Sequence, residues 1–330
     1  MGPSPLLHLR TSNGAVKAET LPELKSDGFD VTIENTSQVN IQEDQSNAGI
    51  YWMLLTMFFF VSGDCIAKYL IQHYDVIQIV WGRYFFHAMI LTIVLAPRLK
   101  KLLVTENLKL QLARSLLLLA TTSCFFMGLN YIQLADASAI MIMGPIFVTA
   151  LSVPILKERV GLRRWVSVLI GCIGGLIIIR PGNGLLQPAS IFPMTAALLF
   201  AFYQISTRFL NHSDSVFTTL FYSASIGAVV SSIAVLFYWQ PMSFEHWGLL
   251  ILLGMVAGSG HFTLIKAYRA SPVATVVPFT YTNLLWATAY GYYIFGDLPD
   301  QWTVIGASVI IASGLYIFHR EQMLKGKKAV

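Results

Sequence analysis

Long uncharged stretches recur along this chain at nearly even intervals. Residues 53–63, 115–134 and 137–156 hold no charged side chain at all. A helix rises 1.5 Å per residue, so ~20 apolar residues are enough to cross ~30 Å of hydrocarbon. The pattern predicts ten spanning helices, at 49–70, 76–96, 111–131, 135–156, 165–179, 191–210, 216–239, 245–267, 272–295 and 302–318. Short polar connections separate them, so successive helices must run antiparallel. The expected class is an all-α integral membrane protein, with no stretch left over for a separate extramembrane domain.

Composition sharpens this reading. The 330 residues are 55% hydrophobic and only 12% charged, against roughly 25% charged in a soluble domain. A globule of this size cannot bury so much apolar surface, whereas a bilayer accepts it. Residues 1–48 differ from the rest, with seven acids against three bases before Ala48. Low hydropathy with net negative charge predicts a disordered polar tail, and it lacks the basic, apolar and small-residue succession of a secretory signal. Residues 321–330 read as a short basic tail. Cys65, Cys124 and Cys172 each fall in an apolar run without paired spacing, so no metal site, disulfide framework or cofactor is expected.

Charge placement sets orientation. Sixteen lysines and arginines fall at one set of loops and span ends, from Arg98 to Lys328, while Lys68 and Arg180 stand alone on the other side. Cytoplasmic loops retain basic residues, so both termini are expected in the cytoplasm of a multi-pass protein of the plasma or inner membrane. The same map exposes a repeat. Leu156-Lys157-Glu158 followed by Trp165 and a glycine-rich span corresponds to Phe295-Gly296-Asp297 followed by Trp302 and Gly306. The expected halves are 49–182 and 183–320. Five spans per half is odd, so the two must be inverted relative to one another, as in carriers that alternate access to a midplane site.

At this point the residues resemble a known family. The run 128–140 (Gly-Leu-Asn-Tyr-Ile-Gln-Leu-Ala-Asp-Ala-Ser-Ala-Ile), Pro145, the stretch Leu156-Lys157-Glu158-Arg159 through Trp165, and Arg180-Pro181-Gly182 are similar to the first repeat of EamA-type carriers of the drug/metabolite transporter superfamily. The second repeat matches more loosely, with Asp297 where the family often has Glu, and Gln301-Trp302 ahead of Gly306. Segments 81–87 and 111–114 resemble the branch that includes S-adenosylmethionine-uptake-like proteins. The resemblance implies a ten-helix carrier whose cavity is lined by spans one, three, four, six, eight and nine, with spans five and ten peripheral.

Ionisable groups inside a bilayer are costly and are functional candidates by default. Asp64 lies deep in span one and Arg83 at similar depth in span two. Either they pair with each other, or Asp64 pairs with Lys68 on its own helix and Arg83 snorkels. His87 and His261 are candidates for proton coupling or for packing. Asp136 is expected to cap span four. Pro145, Pro154 and Pro278 interrupt the backbone ladder in spans four and nine and are candidate gating or kink positions. Asn130, Tyr203, Gln204, Tyr281, Asn283 and Trp286 could stack on or hydrogen-bond an organic solute, and aromatic belt positions are their other reading.

No zinc-protease motif, GxSG motif or phosphate-binding loop is present, so neither an enzyme nor an ATP-driven pump is expected. The Gly171-x-x-x-Gly175 stripe is a candidate homodimer seam, with packing inside the chain as its other reading. The function expected is a secondary transporter for a small amino-acid-like, nucleoside-like or organic-anion solute. Its other expected partner is membrane lipid, not nucleic acid. The alternative is a polytopic sensor or assembly factor that transports nothing.

Overall fold

The computed structural model describes residues 30–156, 162–179, 188–210, 214–271 and 276–326, and every regular element among them is helical. Outside them lie the 157–161 loop, the Arg180-Pro181-Gly182 end of the first repeat, the 272–275 opening of span nine and most of the N-terminal tail. The described residues from Asp44 onward form one compact unit, and those before it belong to another. The helices are α1 (Asp30–Ile71), α2 (Val76–Leu95), the short α3 (Leu99–Leu102), α4 (Leu108–Leu129), α5 (Leu134–Met141), α6 (Gly144–Leu156) and α7 (Leu162–Ile179). They continue as α8 (Ile191–Leu210), α9 (Val216–Val235), α10 (Phe244–Ala270), α11 (Thr282–Tyr290) and α12 (Gln301–Gly326). Both expected tails meet a helix, since α1 starts at Asp30 and α12 runs on to Gly326.

Several helix starts are written locally. Asp75 accepts from the Ile77 amide at 2.8 Å, and Ser215 and Ser243 cap α9 and α10 in the same way. Each satisfies an amide that has no partner within the helix. Farther along, hydroxyls turn back onto their own helices, as in Thr56 to the Trp52 carbonyl and Ser62 to the Phe58 carbonyl, which keeps them satisfied where water is absent. Asp136 departs from expectation. Gln133 holds the N-cap position of α5 and Asp136 sits in the first turn, where its charge favours the positive end of the helix instead.

Among the described residues, seven helical stretches are long and apolar enough to cross a membrane, and 168–179 and 301–316 are shorter apolar helices. Span four is divided by a turn at Ile142 and Met143, so that Pro145 stands in the first turn of α6 and Pro154 inside it. Span nine is not the single helix expected. A 3-10 turn at Val277–Tyr281 containing Pro278 leads into α11, then a π turn at Gly291–Phe295 ends on Gly296 at φ 72°. Proline at the start removes a donor where the ladder has no use for it, and only glycine enters the left-handed region without strain.

The packing joins α4 to α8 and α9, α2 to α9 and α10, α7 to α12, and α5 to α11. Phe126, Leu70, Ile79 and Leu134 are fully buried between them. The glycines of α7 are used within the chain: a Cβ on Gly174 would lie 2.8 Å from the Gly306 carbonyl of α12, and Gly171 and Gly175 face Ile146 and Met143. The stripe read as a candidate seam for a second copy is therefore filled from inside.

Candidate functional site

Helix α1 presents two strips one turn long. Phe60 and Asp64 face α2 and α10, while Phe58 and Ser62 face α11. On the first strip, Asp64 Oδ1 lies 3.8 Å from Arg83 Nη1, and the Arg83 guanidinium covers the Phe126 ring at 5.4 Å. Both charged side chains are largely buried. Lys68, the other partner considered for Asp64, instead donates to the Ile132 carbonyl at 2.7 Å and lies over the Phe295 ring. On the second strip, Ser62 and Tyr290 hydroxyls are 2.8 Å apart and Trp286 meets Phe58 edge-on at 5.2 Å.

One turn along α2 from Arg83, His87 stacks on His261 of α10, with centroids 5.6 Å apart and planes 6° apart. Phe60 meets His261 at 5.1 Å, edge to face. The Nε2 atom of His87 is buried with no hydrogen-bond partner among the described residues. Gly258, one turn before His261 on α10, leaves room for the His87 ring. Sequence reasoning placed the two histidines on different spans, and the fold brings them into one stack beside the Asp64–Arg83 pair.

A second polar group forms on α4, α8 and α9. Arg114 is 3% exposed. It donates from Nε to Thr207 Oγ1 at 2.6 Å, from Nη1 to Ser223 Oγ at 2.6 Å and to the Thr219 carbonyl at 3.3 Å, and from Nη2 to Tyr203 Oη at 2.6 Å. Its guanidinium also lies 4.4 Å from the Tyr203 ring centroid. One turn earlier, Gln111 donates to Asp214 at 2.7 Å. Asp214 lies in the loop before α9. Burial opposes its charge, but hydrogen bonds from Thr105, Gln111 and the Glu106 amide outweigh that and hold its carboxyl below the usual range. The sequence reading counted Arg114 among the loop-end bases; its place six residues inside an apolar helix was the signal that could have singled it out.

The remaining candidates scatter. Asn130 is exposed at the C-cap of α4, away from both groups. The Tyr281 hydroxyl packs against Gly314 of α12. Gln204 and Asn283 are half-buried on α8 and α11.

The sequence profile of the EamA-like transporter family matches residues 47–180 and again 187–318. The chain belongs to this family. Like its relatives, this EamA-like protein is a multi-pass membrane transporter of small molecules and not an enzyme. A Rickettsia prowazekii (strain Madrid E) protein named S-adenosylmethionine uptake transporter is 30% identical over 281 residues, covering 85% of this chain and 95% of the relative. A Vibrio cholerae serotype O1 riboflavin transporter is 28% identical over 278 residues, covering 82% and 92%. One solved crystal structure superposes with a TM-score of 0.57 at 13% identity, over 84% of this chain and 99% of its own; that likeness concerns the EamA-like fold alone.

Proposed function

We propose that this protein is a secondary carrier of the plasma membrane that moves S-adenosylmethionine, or a solute that likewise joins an amino-acid part to a planar part, by alternating access. Ten spans in two inverted five-span halves, with both termini cytoplasmic, form its frame. The observation that carries the proposal is the near-complete coverage of a relative named for S-adenosylmethionine uptake. The family profile fitting twice, with an odd number of spans per half, supports the inverted arrangement. Asp64, Arg83, His87 and His261 offer groups that can exchange partners with a charged solute, and Phe58, Tyr290 and Trp286 offer aromatic faces.

Counterflow in proteoliposomes tests this. Vesicles loaded with unlabelled S-adenosylmethionine are expected to accumulate the labelled compound, while empty vesicles and vesicles loaded with riboflavin do not. Accumulation with riboflavin alone would move the cargo to the other group of relatives. Folded protein that accumulates neither, nor any amino acid or nucleoside, would sink the carrier reading in favour of a sensor.

A further inference from the structure

Arg114 holds a permanent positive charge about 9 Å along α4 from Leu108, and its partners are all neutral. Among the described residues no carboxylate stands at ion-pair distance from it; Arg83, by contrast, has Asp64. Asp214, the acid in the loop before α9 that meets α4 one turn from Arg114, is occupied by Gln111, Thr105 and the Glu106 amide. A buried guanidinium without an anion is an unfinished arrangement, because burial strips its hydration while neutral hydroxyls return only part of the loss.

The hydrogen bonds leave specific donors unused. A guanidinium has five N–H donors; Nε, both hydrogens of Nη1 and one of Nη2 are taken. One Nη2 hydrogen remains. Tyr203 accepts from Nη2, so its own hydroxyl proton is free to point elsewhere. An oxyanion beside these two atoms would receive two charge-assisted bonds. The Tyr203 ring is half-buried and stacks on Phe200 with centroids 5.6 Å apart and planes at 17°, providing an apolar aromatic surface next to these two spare donors.

We infer that Arg114 and Tyr203 form the seat for the carboxylate of the transported solute, with the Tyr203–Phe200 pair as the platform for its apolar or planar part. This rests on the carrier reading. Arg83, already matched by Asp64, is the poorer anion receptor of the two. Thr207, Thr219 and Ser223 fix the guanidinium plane and act as positioning residues. A purely structural clamp across α4, α8 and α9 would have no preference among ligands.

The test uses full-length protein in proteoliposomes and probe pairs differing at the carboxylate: S-adenosylmethionine with its decarboxylated form, and methionine with methioninamide. Competition against counterflow is expected to favour the carboxylate-bearing member by ~10-fold or more. Tyr203→Phe should shrink that preference several-fold, Arg114→Lys should retain part of it, and Arg114→Gln should abolish it. Should Arg114→Gln fail to fold, Tyr203→Phe carries the test. Equal affinity for both members, or unchanged preference in the variants, would overturn the seat. So would occupation by anionic lipid, seen as thermal stabilisation by phosphatidylglycerol that is lost in Arg114→Gln and blocks the carboxylate probes. If riboflavin is carried and no carboxylate probe competes, the seat falls and the carrier stands. If folded protein carries nothing, both fall.

Discussion

Asp64 and Arg83 are each charged inside an apolar helix, and each is tolerable there only because of the other. Removing one leaves the second buried and unmatched. Asp64→Asn and Arg83→Gln should each lower the unfolding midpoint, while the double variant should lose less than their sum, with a coupling energy of roughly 0.5–3 kcal/mol in a thermal-unfolding cycle. Additive losses would mean the 3.8 Å approach contributes nothing. Asp214 supplies a pH test outside the membrane. Its folded-state pKa is depressed, so its contribution is fully present above the ordinary carboxylate value of ~3.9 and is lost as pH falls through the lower folded value. Asp214→Asn should therefore lower the unfolding midpoint at neutral pH and flatten its acid decline, read between about pH 6 and pH 3. Asp64 and Arg83 were legible as candidates because charge in an apolar run is rare and depth can be counted. The sequence left Lys68 open as the partner of Asp64, and only the packing that turns Lys68 to the Ile132 carbonyl decides between the two. The place of Arg114 was not legible, because nearness to a helix start made it look like one more loop base, and its partners on α8 and α9 come from tertiary packing.

Elements were legible where one period holds from end to end. α2, α4, α8, α9 and α10 fall within a few residues of their expected bounds, because an apolar run of that length has no other stable form in hydrocarbon. Span nine was not, since Pro278, Gly291 and Gly296 change the hydrogen-bond pattern three times without interrupting the hydropathy. The contact of α7 with α12 is a consequence of glycine. With Gly174 and Gly306 backbone to backbone, adding one methyl demands that the helices separate. Gly174→Ala should cost about 1–3 kcal/mol through overpacking, whereas Gly248→Ala on α10, where a Cβ meets nothing within 4 Å, should be neutral or slightly stabilising. Unfolding midpoints of the two purified variants compare them directly; equal losses would count against the close approach.

Across the molecule, α1 is tied to the turn before α5 by Lys68 and to α11 by Ser62 with Tyr290. If access alternates by rocking of one half against the other, the Ser62–Tyr290 tie, which joins the halves, must part once per cycle. The Lys68 tie lies within the first half. Ser62→Cys with Tyr290→Cys, in a background lacking Cys65, Cys124 and Cys172, should lose its remaining counterflow when bridged by a short bifunctional thiol reagent, while the reagent should leave the rate of each single variant where it stood before treatment. Undiminished transport by the bridged protein would rule out movement between these helices. The Arg114 network has a consequence of another kind, for the order of synthesis. Its partners Thr207, Thr219 and Ser223 lie 93, 105 and 109 residues downstream. At ~5–20 residues per second the ribosome needs about 5–20 s to reach them. During that interval the third span holds a bare guanidinium, a group that costs ~2.5–3.5 kcal/mol at the bilayer centre and less at the shallower depth of Arg114. The nascent first half must therefore linger beside the insertion machinery, and when produced alone it should be destroyed by membrane quality control unless the second half is supplied in trans.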